Sequence, residues 1–124
     1  YTRTVTALAT QDLANIAWSF ATLWKLDSPL LAAISAAALT KIREFGAQDL
    51  SITAWALARL NFEDVPLLDS LSAQALRLSS EFEPLSLSNT AWAYAKLGKK
   101  DRPLMDALSS SALRMLSQLS AQHL

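Results

Sequence analysis

Amide, hydroxyl and cationic side chains recur at a regular interval along this chain of 124 residues. Asn15 and Asn89 stand at one recurring position, and Thr22, Arg59 and Lys96 stand at another. An asparagine amide can hydrogen-bond to base edges or to backbone, whereas arginine and lysine neutralise phosphate. The same side chains could instead be solvated positions between apolar ones, with the asparagines bonded to the backbone of a neighbouring repeat. The first interpretation predicts a surface for nucleic acid.

A catalytic site is not expected in this sequence. The chain has one histidine and no cysteine, which excludes a thiolate metal site, a disulfide scaffold and a histidine metal cluster. Carboxylates such as Glu63, Asp64 and Glu81 fall at predicted turns and helix ends, without a partner for acid–base work. Neither a glycine-rich phosphate loop nor a serine nucleophile elbow is present. We therefore expect a protein that is not an enzyme and uses no metal, cofactor or small-molecule substrate.

The interval between the recurring positions is 37 residues, as Trp18, Trp55 and Trp92 demonstrate. The segments around these tryptophans align without a gap, and an Asp-x-Pro motif follows each of them, at 27–29, 64–66 and 101–103. Such self-similarity is the signature of a repeat architecture. We predict repeats at 10–46, 47–83 and 84–120, after the end of an earlier repeat at 1–9 and before the start of another at 121–124. A section of a longer array is therefore expected.

Each repeat is predicted to form a hairpin of two α-helices. Alanine and leucine make up more than a third of the chain and glycine is rare, which favours helix. Helix A spans about 10–24 and its equivalents, and helix B, capped by the Asp of the motif, spans about 28–44. Helix A is apolar over a broad arc and must be covered on more than one side. Stacked hairpins meet that need, so the predicted fold is an all-α solenoid.

Ligand contacts are predicted on the polar side of helix A. The expected strip consists of Asp12, Asn15, Ser19 and Thr22 in the first repeat, Asp49, Ile52, Ala56 and Arg59 in the second, and Ser86, Asn89, Ala93 and Lys96 in the third. The three aligned tryptophans are expected in the core or between repeats. Asn61 and Gly98 suit a left-handed helix end, and tryptophan does not. Because Trp24 replaces this cap residue, it is expected to be exposed. The candidate RNA contacts are Asn15, Thr22, Trp24, Thr53, Arg59, Asn89, Lys96, Lys99 and Lys100.

The repeat resembles a known kind of helical repeat. The strings that carry the resemblance are QDLANIAWSFA at 11–21 and LSNTAWAYAKLG at 87–98. They resemble the octotricopeptide repeats of algal organelle proteins and, at this repeat length, the heptatricopeptide repeats of protist organelle proteins. Those families are related to the FAST-kinase-like proteins and often carry a RAP domain. The resemblance covers essentially the whole chain.

What the resemblance implies is an α-solenoid that binds organellar RNA, single-stranded or ribosomal. Members of such families act in transcript maturation or translation, and some lie on ribosomal RNA as structural subunits. The implied compartment is a mitochondrion or a chloroplast.

The competing hypothesis is a scaffold for protein partners, or an accessory structural subunit of a large organellar complex. The net charge of zero favours it, since arrays that bind RNA are commonly basic, and solenoids offer long surfaces to proteins as well. The charge on the helix A face discriminates between the two hypotheses: gathered cations favour RNA, and an apolar or mixed face favours protein. The sequence contains no run of 18 uncharged apolar residues, so no transmembrane span is expected.

Overall fold

The computed structural model describes residues 9–25 and 27–123, with side chains described as far as residue 118. The described residues form six α-helices and no strand: α1 Thr10–Thr22, α2 Ser28–Thr40, α3 Ala47–Arg59, α4 Val65–Arg77, α5 Pro84–Lys96 and α6 Arg102–His123. Short 3-10 turns at Ile42–Glu44 and Ser79–Glu81 lead from α2 into α3 and from α4 into α5. The predicted all-α class is thus confirmed. Apart from Ala9, the predicted end of an earlier repeat at 1–9 lies outside the described residues.

The helix starts follow the 37-residue interval of the sequence. The odd-numbered helices, which are the predicted A helices, begin at Thr10, Ala47 and Pro84. Each even-numbered helix, a predicted B helix, begins directly after an Asp whose carboxylate accepts a hydrogen bond of 3.1 Å from a backbone N–H three residues later. Proline in the first turn costs no hydrogen bond, because that N–H has no partner within the helix. Local chemistry therefore sets where each hairpin turns, and the division into whole repeats stays a prediction.

The last helix differs from the predicted pattern. Helix α6 runs without interruption to His123, past the point at which a further repeat was predicted to begin at 121. In the earlier repeats, Gly46 stands directly before α3 and Pro84 is the first residue of α5. Neither residue type occurs between 104 and 124, so nothing in the local sequence stops the helix.

The helices form two layers that pack at different spacings. Helices α1, α3 and α5 lie side by side in an A layer and contact each other extensively, whereas α2, α4 and α6 form a B layer with sparser contacts. Alanines make the close approach possible, and Ala21, Ala56 and Ala93 are completely buried. Interhelical distance depends on the side chains at the contact. The alanines at these contacts therefore let the A helices lie closer together than the B helices.

The core lies between the two layers and consists mainly of leucines and alanines, with three large rings. Phe45 and Phe82 precede α3 and α5 and are almost completely buried. Tyr94 of α5 is 1% exposed and donates a hydrogen bond of 2.6 Å to the Leu68 carbonyl of α4. Burial, followed by the nearby carboxylates of Asp101 and Asp69, raises the pKa of the Tyr94 phenol. The phenol therefore stays protonated and keeps its hydrogen bond at neutral pH.

Polar side chains of the B layer hold the turns of the preceding repeat. Gln74 of α4 donates from Nε2 to the backbone carbonyls of Phe45 at 3.1 Å and Arg43 at 3.3 Å. One repeat later, Ser111 of α6 donates to the carbonyl of Ser79 at 2.8 Å. These bonds fix the turns from which α3 and α5 begin. They therefore help to set the position of the A helices that carry the candidate site.

None of the described helices combines the length and the apolar character that crossing a membrane requires.

Candidate nucleic-acid interface

The A layer presents one continuous strip of side chains to solvent. At positions i, i+4, i+7 and i+11 of each helix the side chains are exposed or half-buried. We call these twelve residues the A-layer strip: Gln11, Asn15, Trp18 and Thr22 of α1, Gln48, Ile52, Trp55 and Arg59 of α3, and Leu85, Asn89, Trp92 and Lys96 of α5. The strip holds two cations, Arg59 and Lys96, in the last turns of α3 and α5. The carboxylates of Asp12, which is exposed, and Asp49, which is half-buried, flank it in the first turns of α1 and α3. The charge on the A layer is therefore divided between its two ends, with the carboxylates at the starts of the helices and the cations at their ends.

The predicted strip is rotated relative to the observed one. The prediction placed Ser19, Ala56 and Ala93 on the outer face. Ser19 is exposed as predicted, but both alanines are 0% exposed. They lie at the contacts between neighbouring A helices, where only a small side chain allows the close approach described above. The prediction also included Ser86, which is only 7% exposed. The positions at i+7 of the observed strip are occupied by the three aligned tryptophans instead.

The tryptophans are consequently more exposed than the sequence predicted. Trp18 is 46% exposed and Trp92 is 42% exposed, so the expectation of core positions is wrong for these two side chains. The alternative expectation, packing between repeats, is confirmed for Trp55 and Trp92. Their ring centroids lie 6.4 Å apart with an interplanar angle of 35°, which is within the range of favourable aromatic pairs.

Arg59 connects this aromatic pair to the end of the first repeat. Its Cζ atom lies 4.0 Å from the ring centroid of Trp24 and 5.3 Å from that of Trp55. Its Nε donates a hydrogen bond of 3.1 Å to the Ala21 carbonyl in the last turn of α1, which also accepts one of 3.1 Å from the backbone N–H of Trp24. The Nη groups make no hydrogen bond within the described part of the chain. They stay available to an anionic ligand.

Trp24 ends α1 in an unusual conformation. Its φ is 56°, which matches the φ of 56° at Asn61 and lies near the 67° of Gly98 at the corresponding helix ends. The sequence indicated that tryptophan does not suit this conformation, yet the chain adopts it. A left-handed residue with a Cβ costs roughly 1–2 kcal/mol. Trp24 is 62% exposed, as its position predicted.

The remaining candidates divide into accessible and inaccessible side chains. Asn15, Thr22, Lys96 and Lys100 are exposed and Asn89 is half-buried. The alternative role for the asparagines is not observed, because within the described residues neither side chain bonds the backbone of a neighbouring repeat. The hydroxyl of Thr22 donates to the Trp18 carbonyl at 2.8 Å, which leaves its oxygen free to accept.

Two candidates are less suited to contact a ligand. Thr53 is 2% exposed, and its hydroxyl is buried without a hydrogen-bond partner in the described structure. Its predicted place among the surface contacts is therefore corrected, since it lies on the inner side of α3. Lys99 forms an ion pair of 2.9 Å with Asp69. Asp69 partly neutralises its charge, and of the two lysines Lys100 is the better candidate for a phosphate.

The structure thus brings Trp24, Arg59 and Trp55 together, and the sequence did not predict this cluster. Arg59 follows Ala21 by 38 residues, which is one repeat plus one residue. This spacing is the sequence signal that could have indicated their contact. Groups of three or more histidine, cysteine or carboxylate side chains that could hold a metal ion do not occur in the described residues.

Comparison with known proteins gives one family match. A family model described as RNA-editing substrate-binding complex 6 protein matches residues 4–124, which is almost the whole chain. No curated protein matches it. The match agrees with the coarse prediction of an RNA-related helical protein, although its description names RNA editing and not heptatricopeptide or octotricopeptide repeats.

Proposed function

Because the chain belongs to the RNA-editing substrate-binding complex 6 protein family, we propose that it is a non-catalytic RNA-binding module within an RNA-editing assembly. The stacked hairpins form an α-solenoid of the heptatricopeptide or octotricopeptide kind, and its A layer binds the RNA. Other proteins of the assembly are its second class of partner. The resemblance of the repeat supports an organellar location, in a mitochondrion or a chloroplast, and a part in transcript maturation.

The observation that carries this proposal is the composition of the A-layer strip. Arg59 and Lys96 stand on it without a neighbouring carboxylate in the strip, and the exposed indoles of Trp18 and Trp92 stand beside them. Cations attract the phosphate backbone, and indoles offer a surface to bases. The zero net charge does not oppose this, since the local distribution of charge governs encounter with a polyanion.

Several of the carboxylates that bring the net charge to zero form interactions outside the A-layer strip. Asp27, Asp64 and Asp101 cap the B helices. Asp69 pairs with Lys99. The two cations at the ends of α3 and α5 therefore support the RNA proposal, since this end of the A layer carries no carboxylate of the A helices.

A protein scaffold is the second candidate function, and a different observation favours it. Leu113 and Leu116 of α6 are 63% and 59% exposed, and Leu116 lines an open, apolar groove with Met115 and Leu87. Exposed leucines in one region are typical of contacts with protein. The residues that line the groove are not those of the A-layer strip, so one module can serve both partners.

Ultraviolet crosslinking of the native protein in its assembly tests the RNA proposal. We expect crosslinked nucleotides on peptides of α1, α3 and α5 that include the A-layer strip. RNA-free protein that co-purifies with a stable protein partner would instead favour the scaffold.

Salt dependence gives a quantitative form of the same test. The variant Arg59→Gln/Lys96→Gln removes two cations from the strip, whereas Arg43→Gln/Arg114→Gln removes two from the B-layer side. For single-stranded nucleic acid the logarithm of affinity falls with the logarithm of salt concentration by about 0.7 per phosphate neutralised. We expect the first variant to reduce that slope by about 1.4 and the matched control to leave it unchanged. Equal slopes for both variants would contradict binding on the A layer.

A further inference from the structure

We infer that Trp24, Arg59, Trp55 and Trp92 form a stacking site for the unpaired bases of single-stranded RNA. We call these four residues the stacking column. The inference rests on the proposed RNA-binding function and adds the form of the RNA and the mode of its recognition.

The first support is the continuity of the column. Guanidinium-to-ring distances of 4.0 and 5.3 Å join Arg59 to Trp24 and to Trp55, and a centroid distance of 6.4 Å joins Trp55 to Trp92. All three distances lie within the ranges at which cations and rings, or pairs of rings, attract each other. The four side chains come from three successive predicted repeats. They therefore form one surface that extends across the stack.

The second support is exposure at both ends of the column. Trp24 is 62% exposed and Trp92 is 42% exposed. Tryptophan in a protein interior buries most of its large surface, and its exposure is typical of contact sites. Arg59 covers part of the Trp24 ring and holds its orientation. The solvent-accessible remainder is a preformed platform on which a base can continue the stack.

The third support is the backbone of Trp24, which is independent of the ring contacts. The left-handed turn at the end of an A helix is formed by asparagine at 61 and by glycine at 98, so the turn itself does not require an indole. Tryptophan at this position is conformationally unfavourable. Such strain persists where a side chain has another role, and it points to a function of the exposed ring.

The chemistry favours single strands over duplexes. Every base has a π-face that can stack on an indole, so recognition of this kind tolerates differences in sequence. In a duplex those faces are already covered by neighbouring base pairs, and A-form RNA offers proteins mainly phosphates and 2′-hydroxyls. The free Nη groups of Arg59 provide a contact for the phosphate next to a stacked base.

The variant Trp24→Asn tests the column in the full chain. Asn61 demonstrates that asparagine forms this turn, so the substitution removes the ring and keeps the helix end. The matched control is Leu23→Asn, because Leu23 is the neighbouring residue, is 75% exposed and has no ring to stack. Affinities are measured by fluorescence anisotropy with one labelled oligonucleotide, single-stranded and annealed to its complement. Circular dichroism and thermal melting monitor the fold, and Trp24→Gly repeats the test if Trp24→Asn melts early.

We expect Trp24→Asn to bind the single strand about tenfold more weakly and Leu23→Asn to bind it normally. The salt slope should stay unchanged in Trp24→Asn, since no charge is removed, and intrinsic tryptophan fluorescence should be quenched less by the single strand. Normal single-strand affinity in both Trp24 variants would overturn the stacking column and leave the proposed function intact. A wild-type preference for the duplex would overturn it as well. Wild-type protein that binds neither RNA would overturn the proposed function itself.

Discussion

Replacing Gln74 by methionine should loosen the joint between the first two repeats. Gln74 is 4% exposed, donates from Nε2 to the carbonyls of Phe45 and Arg43, and accepts at Oε1 from Arg77 at 2.9 Å. Methionine has a similar length and flexibility, so Gln74→Met leaves little cavity and removes mainly the hydrogen bonds.

The expected cost follows from the two carbonyls that lose their donor. The bond to Phe45 is buried, and a buried acceptor without a partner costs about 1–3 kcal/mol. Arg43 is exposed, so water replaces the donor there at little cost. We therefore expect a loss of about 2 kcal/mol in the free energy of unfolding. With an unfolding entropy of about 2.1 cal/mol/K per residue, the melting temperature should fall by about 8 °C.

Thermal melting followed by circular dichroism measures this shift, with Gln48→Met as the matched control. Gln48 is exposed on the A-layer strip, and the same change there should alter the free energy of unfolding by less than about 0.5 kcal/mol. Hydrogen exchange adds a local measurement, because the backbone amides of the turn Ile42–Glu44 should exchange faster in Gln74→Met. Equal melting temperatures for the two variants, with unchanged exchange in the turn, would refute the assigned role of Gln74.

Three further substitutions test particular features of the fold. Tyr94→Phe should lower the free energy of unfolding by about 1 kcal/mol at neutral pH, because it removes a buried hydrogen bond. Because burial raises the pKa of the Tyr94 phenol, the phenol contributes fully to stability below its unfolded pKa of about 10, and this contribution is lost as the pH rises towards the higher pKa of the folded state. The free energies of unfolding of wild type and variant, measured by urea denaturation, should therefore converge in alkali. Gly98→Ala should cost about 1–2 kcal/mol in thermal melts through its φ of 67° alone, since an added Cβ would meet no atom within 4 Å; an unchanged melt would contradict this. Thr53→Val should raise the free energy of unfolding by about 1 kcal/mol, because it removes a buried hydroxyl that has no partner in the described structure. If the same substitution weakened RNA binding, Thr53 would be a ligand contact after all.

Much of the helix pattern could be predicted because its signals are local. The 37-residue interval, the caps at Asp27 and Asp64 and the left-handed ends at Asn61 and Gly98 each depend on a few neighbouring residues. The candidate site was predicted less completely. Arg59, Lys96 and Trp24 were identified, but their contacts depend on side chains from different repeats.

The sequence by itself determined that the chain is helical, where each hairpin turns and which residue types recur at each position of the repeat. Tertiary structure decided which arc of each A helix faces solvent. An apolar helix such as α3 offers several arcs for burial, and the choice depends on how closely its neighbours approach. Alanine allows the closest approach, so Ala56 is buried and Trp55 lies half-exposed on the other arc. The stacking column exists for this reason: the small side chains bring the helices together, and the large ones meet at their outer surface.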